Sequence, residues 1–382
     1  MCPVGEGDAV AVSYTPTEDM ELIRTTARQF LEERIGLETV RDFMMSAEGF
    51  DRGLWKEIAD MGWTGLAIGE EHGGAGYGLS ELGVLLEEMG RLVTPGPFFA
   101  SAVLATAAID AAGDESQKAA LLPQLASGES IATLAVFEEP RGWDLSALAT
   151  TASANGAGWV IDGAKRFVLA GGQADVIVVA AGFEGGIGMF VVPGDASGLD
   201  VVETPVLDPT RRQADLSLNG VRVDADALLG GGDSKLSLRK TLGIGTACLA
   251  AEQVGGSQMC LEMSVEYAKT RYQFGRPIGS FQAIKHRCAE MLIKTEHARS
   301  TAYHAVRVVD DDEEFSIAAP LAGSVCSDAY NWIAGETIQV HGGIAFTWEH
   351  DAHLYLKRAK ASSLLFGDPR YQRQLLGQAI DL

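Results

Sequence analysis

Apolar residues recur at helical spacing up to about residue 130, at strand spacing over the next stretch, and at helical spacing again to the end. Segments 18–33 and 80–92 read as amphipathic helices. Pro95, Gly96 and Pro97 break the chain before two more, 101–112 and 116–125. Segments 131–139, 159–169, 175–181, 188–194, 199–207 and 213–223 are short and β-branched, with Gly, Asp and Pro between them, and read as strands. They leave no room for crossover helices, which predicts a mostly antiparallel sheet or barrel and argues against a Rossmann fold. From Leu236 the helical pattern resumes. The expected organisation is α+β in three domains: an N-terminal α domain (1–130), a central β-barrel or sheet domain (131–235) and a helical C-terminal domain (236–382).

The long helix near residues 247–268 holds Ala247, Ala250, Val254, Leu261, Val265 and Ala268 on one face. Gly255 and Gly256 interrupt it, and such a pair signals close approach of another backbone. Residues 275–279, with three glycine or proline positions, turn the chain before a helix near Phe281. Arg271, Gln273, Phe274, Phe281 and Gln282 meet at this turn. One fixed cation, amides and aromatics suit a planar, phosphate-bearing ligand, and equally a plain helical corner with a surface Arg. The glycines at 73, 74, 76 and 78 mimic a dinucleotide fingerprint, but no parallel βαβ unit surrounds them.

Composition narrows the classes. At 382 residues and 47% apolar, the chain can bury several cores. No apolar run of membrane-spanning length occurs, and the first twenty residues carry no signal-peptide pattern. A net charge of −22 argues against nucleic acid, while a local basic cluster can still hold an anion. The five cysteines show no metal or disulfide spacing, which fits a cytoplasmic location. His341, His350 and His353 lack the pattern of a metal site, so no metal is expected. The acidic run 310–314 reads as a solvated loop between helices.

TRYQFGRPIGSFQAIKH resembles the acyl-CoA dehydrogenase signature Tyr-Ala-x-x-Arg-x-x-Phe-Gly-x-x-Ile-x-x-Phe-Gln, spelled here by Tyr267, Ala268, Arg271, Phe274, Gly275, Ile278, Phe281 and Gln282. Gln339, Val340, His341, Gly342 and Gly343 are similar to that family's Gln-x-x-Gly-Gly turn. The AAEQVGG and FTWEHDAHLYLKRAK stretches resemble members of actinobacterial type, some of which pair as unlike subunits and some of which act on steroid side chains. The resemblance implies an acyl-CoA dehydrogenase fold whose C-terminal domain is a four-helix bundle. It implies FAD, with residues 271–282 and 339–343 reaching a neighbouring subunit's cofactor. It places Phe167, in DGAKRFVLAGGQAD, and Phe137 beside the flavin. Trp143, where relatives keep a small residue, would meet substrate or simply pack its loop. In AVFEEPRGWD, Glu138 stands for the family's Thr, and Arg141 crowds the same loop. DPTRR (208–212) resembles a family element that supports the site or the subunit interface.

Family chemistry needs a carboxylate to take the proton α to the thioester carbonyl. Phe366 occupies one usual position of that Glu and Gly245 the other. Glu252 lies seven residues past Gly245, on nearly the same helix face. It is the remaining base, or else a surface acid or a buried ion pair. The implied activity is α,β-dehydrogenation of an acyl-CoA thioester to the 2-enoyl-CoA, in fatty acid or steroid degradation. An electron-transfer flavoprotein would take the electrons, and the protein would be a homo- or heterotetramer. The alternatives are a non-catalytic subunit of a heterotetramer and a flavin oxidase or monooxygenase on the same fold.

Overall fold

The computed structural model describes residues 16–139, 142–145, 148–156 and 158–382, so Arg141 lies outside the described residues. The amino-terminal part holds α1 (Glu18–Arg34), α2 (Leu37–Met45), α3 (Arg52–Asp60), α4 (Leu79–Arg91), α5 (Thr106–Ala112) and α6 (Glu115–Ala126). Side-chain oxygens of Thr17, Asp51 and Asp114 accept backbone N–H groups at the starts of α1, α3 and α6, satisfying donors that a helix leaves open. The expected helix 101–112 begins differently, because Phe99–Ala105 is wound as a π-helix. Thr106 Oγ1 donates five residues back to the Ser101 carbonyl at 3.0 Å, in keeping with the wider winding.

The β region contains β1 (Ala132–Ala135), β2 (Thr151–Asn155), β3 (Gly158–Leu169), β4 (Val176–Phe183), β5 (Gly186–Pro193), β6 (Leu199–Thr204) and β7 (Gln213–Asp224). They form one sheet in the order β1-β4-β2-β3-β7-β6, with β5 on β4. β1 and β2 run parallel to β4, and the other pairs are antiparallel. Ile161, Val179, Phe190, Leu216 and Val221 form its own apolar core.

The chain then enters α7 (Lys235–Thr270), a hairpin of β8 (Tyr272–Gln273) and β9 (Arg276–Pro277), α8 (Gln282–Arg307), α9 (Asp312–His341), α10 (Ala352–Ser362) and α11 (Pro369–Ala379). α7, α8 and α9 pack on one another, α10 and α11 lie against α9, and α4 crosses α7. Gly255 makes that crossing possible, and Gly256 makes room for α9. A Cβ on Gly255 would sit 1.8 Å from the Glu87 carbonyl oxygen, and one on Gly256 would sit 2.4 Å from the Tyr330 ring. The acidic run departs from the expected loop: Asp312, Glu313 and Glu314 form the first turn of α9, where the helix dipole favours negative charge. Among the described residues no helix is long and apolar enough to cross a membrane.

Candidate active site

Three phenylalanines hold a left-handed backbone: Phe167 (φ 54), Phe274 (φ 53) and Phe366 (φ 58). Bulky side chains avoid this region, and holding one there costs about 1–3 kcal/mol. All three sit where the sequence pointed to chemistry.

Phe167 owes its place to a bulge. The β3–β7 register shifts between Lys165 and Val168, which pushes the residue out of the ladder. Its N–H donates to Asp215 Oδ1 at 3.1 Å, and Asp215 also pairs with Arg166 at 2.9 Å. The ring is 40% exposed, so it serves as a wall and not as core. Phe137 lies 5.6 Å from it, Trp143 5.2 Å from Phe137, Phe366 5.4 Å from Trp143, and Phe99 6.2 Å from Phe366, centroid to centroid. Phe137, Trp143, Phe167 and Phe366 of this row, with Leu104 and Leu242, line a cavity whose free volume is only about 20 Å³.

The two positions to which the resemblance assigns a base face each other here. A Cβ on Gly245 would lie 2.7 Å from Leu104 Cδ2 and 3.0 Å from Phe366 Cζ. The Phe366 ring therefore fills the space that the glycine leaves. No carboxylate lines this cavity among the described residues.

Glu252 does not line this cavity. It is 5% exposed, and both carboxylate oxygens are engaged. One accepts from Arg211 and the other from Arg358 Nη1 at 2.9 Å. Arg358 Nε also donates to Asp208 Oδ2 at 2.6 Å, and its Nη2 to Thr210 Oγ1 at 2.5 Å and to the carbonyls of Val93 and Thr94. Arg211 lies over the Phe99 ring at 5.1 Å, so a chain of contacts runs from Phe366 through Phe99 and Arg211 to Glu252. Burial pushes the Arg211 guanidinium below its ordinary pKa, and Glu252 pulls against that shift. Against the same cost of burial, Asp208 and Glu252 hold Arg358 above its ordinary value. Of the three readings open for Glu252, the buried ion pair is the one these contacts favour. The second Arg of DPTRR faces elsewhere: Arg212 pairs with Glu203 and donates to the Ser46 carbonyl at 2.6 Å.

Glu138 turns inward beneath the aromatic wall. It is 3% exposed and bonds at 2.6 Å to Nζ of Lys165, which is wholly buried. Sequence reasoning passed over Lys165, Arg358 and Phe99. For Arg358 there was a signal: it is a charge on a face of α10 otherwise made of buried Leu354, Tyr355 and Ser362.

The second group of expected residues lies at the α7–α8 turn. Arg271, Gln273, Phe274 and Gln282 are exposed, and Phe281 is half-buried under the Arg276 guanidinium at 4.0 Å. At the end of α9, Gln339, Gly342 and Gly343 are exposed, whereas Val340 and His341 are buried. His341 Nδ1 contacts the Thr337 carbonyl at 2.8 Å, and its ring lies 4.4 Å from Tyr267 and 4.5 Å from His350. No atom would meet a Cβ on Gly342 or Gly343 within 4 Å. An exposed guanidinium, three amides and open glycine backbone form a donor set that fits a dinucleotide diphosphate. Val340 can contribute only backbone and packing, while His341 is held through Nδ1 by the Thr337 carbonyl. Among the described residues no group of three His, Cys, Asp or Glu could hold a metal ion.

Comparison with known proteins places this geometry. The chain matches the acyl-CoA dehydrogenase N-terminal domain over residues 17–129, the middle domain over 133–220 and the C-terminal domain over 237–380. It is 33% identical to acyl-CoA dehydrogenase IpdE2 of Mycolicibacterium smegmatis over 361 residues, 94% of this chain and 98% of that one. Among solved structures it superposes on a chain of the ChsE4-ChsE5 complex from Mycobacterium tuberculosis with a TM-score of 0.89, at 28% identity, covering 97% of this chain and 99% of that one. Butyryl-CoA dehydrogenase of Megasphaera elsdenii gives a TM-score of 0.90 at 25% identity, covering 97% and 100%.

Proposed function

The chain belongs to the acyl-CoA dehydrogenase family, and from that premise we propose how its residues divide the work. The protein is an FAD-dependent oxidoreductase that dehydrogenates an acyl-CoA thioester to the 2-enoyl-CoA. FAD supplies the acceptor for the β-hydride. On our reading Phe137 and Phe167 flank the flavin ring. Arg271 and Gln282, with Gln273 and Phe274, hold the diphosphate end of a neighbouring subunit's cofactor, joined by Gln339 and the open backbone of Gly342 and Gly343. Trp143 limits the acyl group at the cavity mouth. We assign the protein to the cytoplasm and its electrons to an electron-transfer flavoprotein.

One observation carries a second reading of the proton transfer. Phe366 and Gly245 pack against each other, and both oxygens of Glu252 are held by guanidinium groups. A homo-oligomer would repeat that arrangement in every copy. We therefore infer a mixed oligomer in which an unlike chain carries the proton-accepting carboxylate. Native mass measurement of the complex from its own host, with anaerobic bleaching of the flavin band by acyl-CoA, tests both points. A protein that is a homo-oligomer and bleaches at full speed alone would overturn the mixed assembly.

A further inference from the structure

The buried pair of Glu138 and Lys165 has no part in the chemistry described so far. Lys165 Nζ bonds to Glu138 Oε1 at 2.6 Å and to the Val136 carbonyl at 3.3 Å. Glu138 Oε2 accepts from the Ala149 N–H at 2.5 Å, and Oε1 from the Thr150 N–H at 3.0 Å. The Phe137 carbonyl accepts from the Arg166 N–H at 2.9 Å. Both ends of the loop that carries Trp143 thus close on one carboxylate, and that carboxylate closes on β3. Phe137 lies between the two residues that bind Lys165, and Phe167 follows Lys165 by two positions. The other charged pair at this place is Arg166 with Asp215, on the neighbouring strand.

A fully buried ammonium is an expensive choice for a purely structural tie. We propose that Glu138 and Lys165 are positioning residues for the flavin: they set the Phe137–Phe167 wall and place a charge pair behind it that adjusts the cofactor's reduction potential. This rests on the placement of the flavin against Phe137 and Phe167. The flavin gains negative charge on accepting hydride, so it senses a nearby charge differently in its two redox states. Burial, against the pull of Glu138, lowers the Lys165 pKa to about 8; at Glu138 burial pushes upward, but Lys165 and the Thr150 and Ala149 hydrogen bonds together hold that carboxyl below its ordinary value. The pair is therefore neutral overall below about pH 8 and negative above it.

The test is the flavin midpoint potential of the assembled holoprotein, read with the FAD dissociation constant. Lys165→Met leaves the Glu138 carboxylate, still held by the Ala149 and Thr150 N–H groups, as a lone negative charge and should lower the potential, changing the ratio of reduced to oxidised FAD affinity by on the order of tenfold, as a unit charge does inside a protein. Glu138→Gln removes the partner that keeps the buried Lys165 ammonium charged, so the site becomes neutral, like the wild-type pair, and the potential should stay near the wild-type value, as should that of the double variant. A purely structural tie would move both single variants together, or neither, and that result would overturn the proposal. Should the single variants not fold, the wild-type potential measured from pH 7 to 9.5 decides: an added downward break near pH 8 is expected, and its absence overturns the idea. Phe167→Leu serves as the separate check on placement. An unchanged flavin spectrum and FAD affinity in that variant would defeat the flavin wall itself, whatever the charge pair does.

Discussion

Replacing Glu252 by Gln separates a keystone from a base. The carboxylate accepts from Arg211 on the loop before β7 and from Arg358 on α10, while Arg358 also holds Asp208 and the carbonyls that follow α4. Four charged groups therefore join the three parts of the molecule, two of each sign. Gln keeps the shape but presents one oxygen and one N–H₂ group to two donors, so at least one guanidinium loses its acceptor. Breaking a buried pair by changing one partner costs about 3–5 kcal/mol. Expected outcomes are a clear fall in the denaturation midpoint of the holoprotein and unfolding that starts with release of the β region. Urea titration followed by tryptophan fluorescence and by free flavin measures both. Arg358→Met should cost less in the same background than in wild type, by the part of its binding that goes to Glu252, while the loss of its Asp208 partner remains. A catalytic base would behave otherwise. If Glu252→Gln is as stable as wild type to within about 0.5 kcal/mol and yet bleaches about 100- to 10,000-fold more slowly with acyl-CoA, the keystone reading is refuted.

Arg271→Ala removes a charge-assisted phosphate contact of about 1.5–3 kcal/mol, so FAD should wash out more readily and the oligomer weaken; a fully yellow, intact assembly after gel filtration would contradict this. Trp143→Ala opens the aromatic row above Phe366 and should shift preference towards bulkier acyl-CoA thioesters, read as the kcat/KM ratio across a chain-length series; equal ratios would reject the role. His341, His350 and His353 all lie below the ordinary value of 6.5, burial being the leading cause. The unfolded chain then takes up protons at a higher pH than the native one. Stability at this corner should be full above about pH 6.5 and decline as pH falls below it. Thermal scans between pH 7.5 and 5.5 should show that fall, and a flat or rising melting temperature would count against it.

The pattern of the chain by itself determined the order helix, strand, helix, because each periodicity is a local property of a few turns or a few pleats. It also marked the corner at Arg271 and Phe274, since turn-forming glycines and a proline must sit where the chain reverses. The glycine pair at 255 and 256 announced a close helix crossing without saying that Glu87 and Tyr330 would supply it. The absence of a carboxylate at Phe366 and Gly245 was legible as well, through resemblance. What the sequence left open was every partnership between distant residues. Helical period put Glu252 near the face of Gly245, but only packing decided that this face meets Arg211 and Arg358, 41 and 106 positions away. The same holds for Glu138, whose inward turn depends on Lys165 across the sheet, and for Phe366, whose ring closes the space above Gly245. Side-chain charge and shape are written locally, but burial is settled only when separate elements come together. A buried carboxylate must then take whatever cations that meeting provides, and here they are two arginines that no local spacing relates to it.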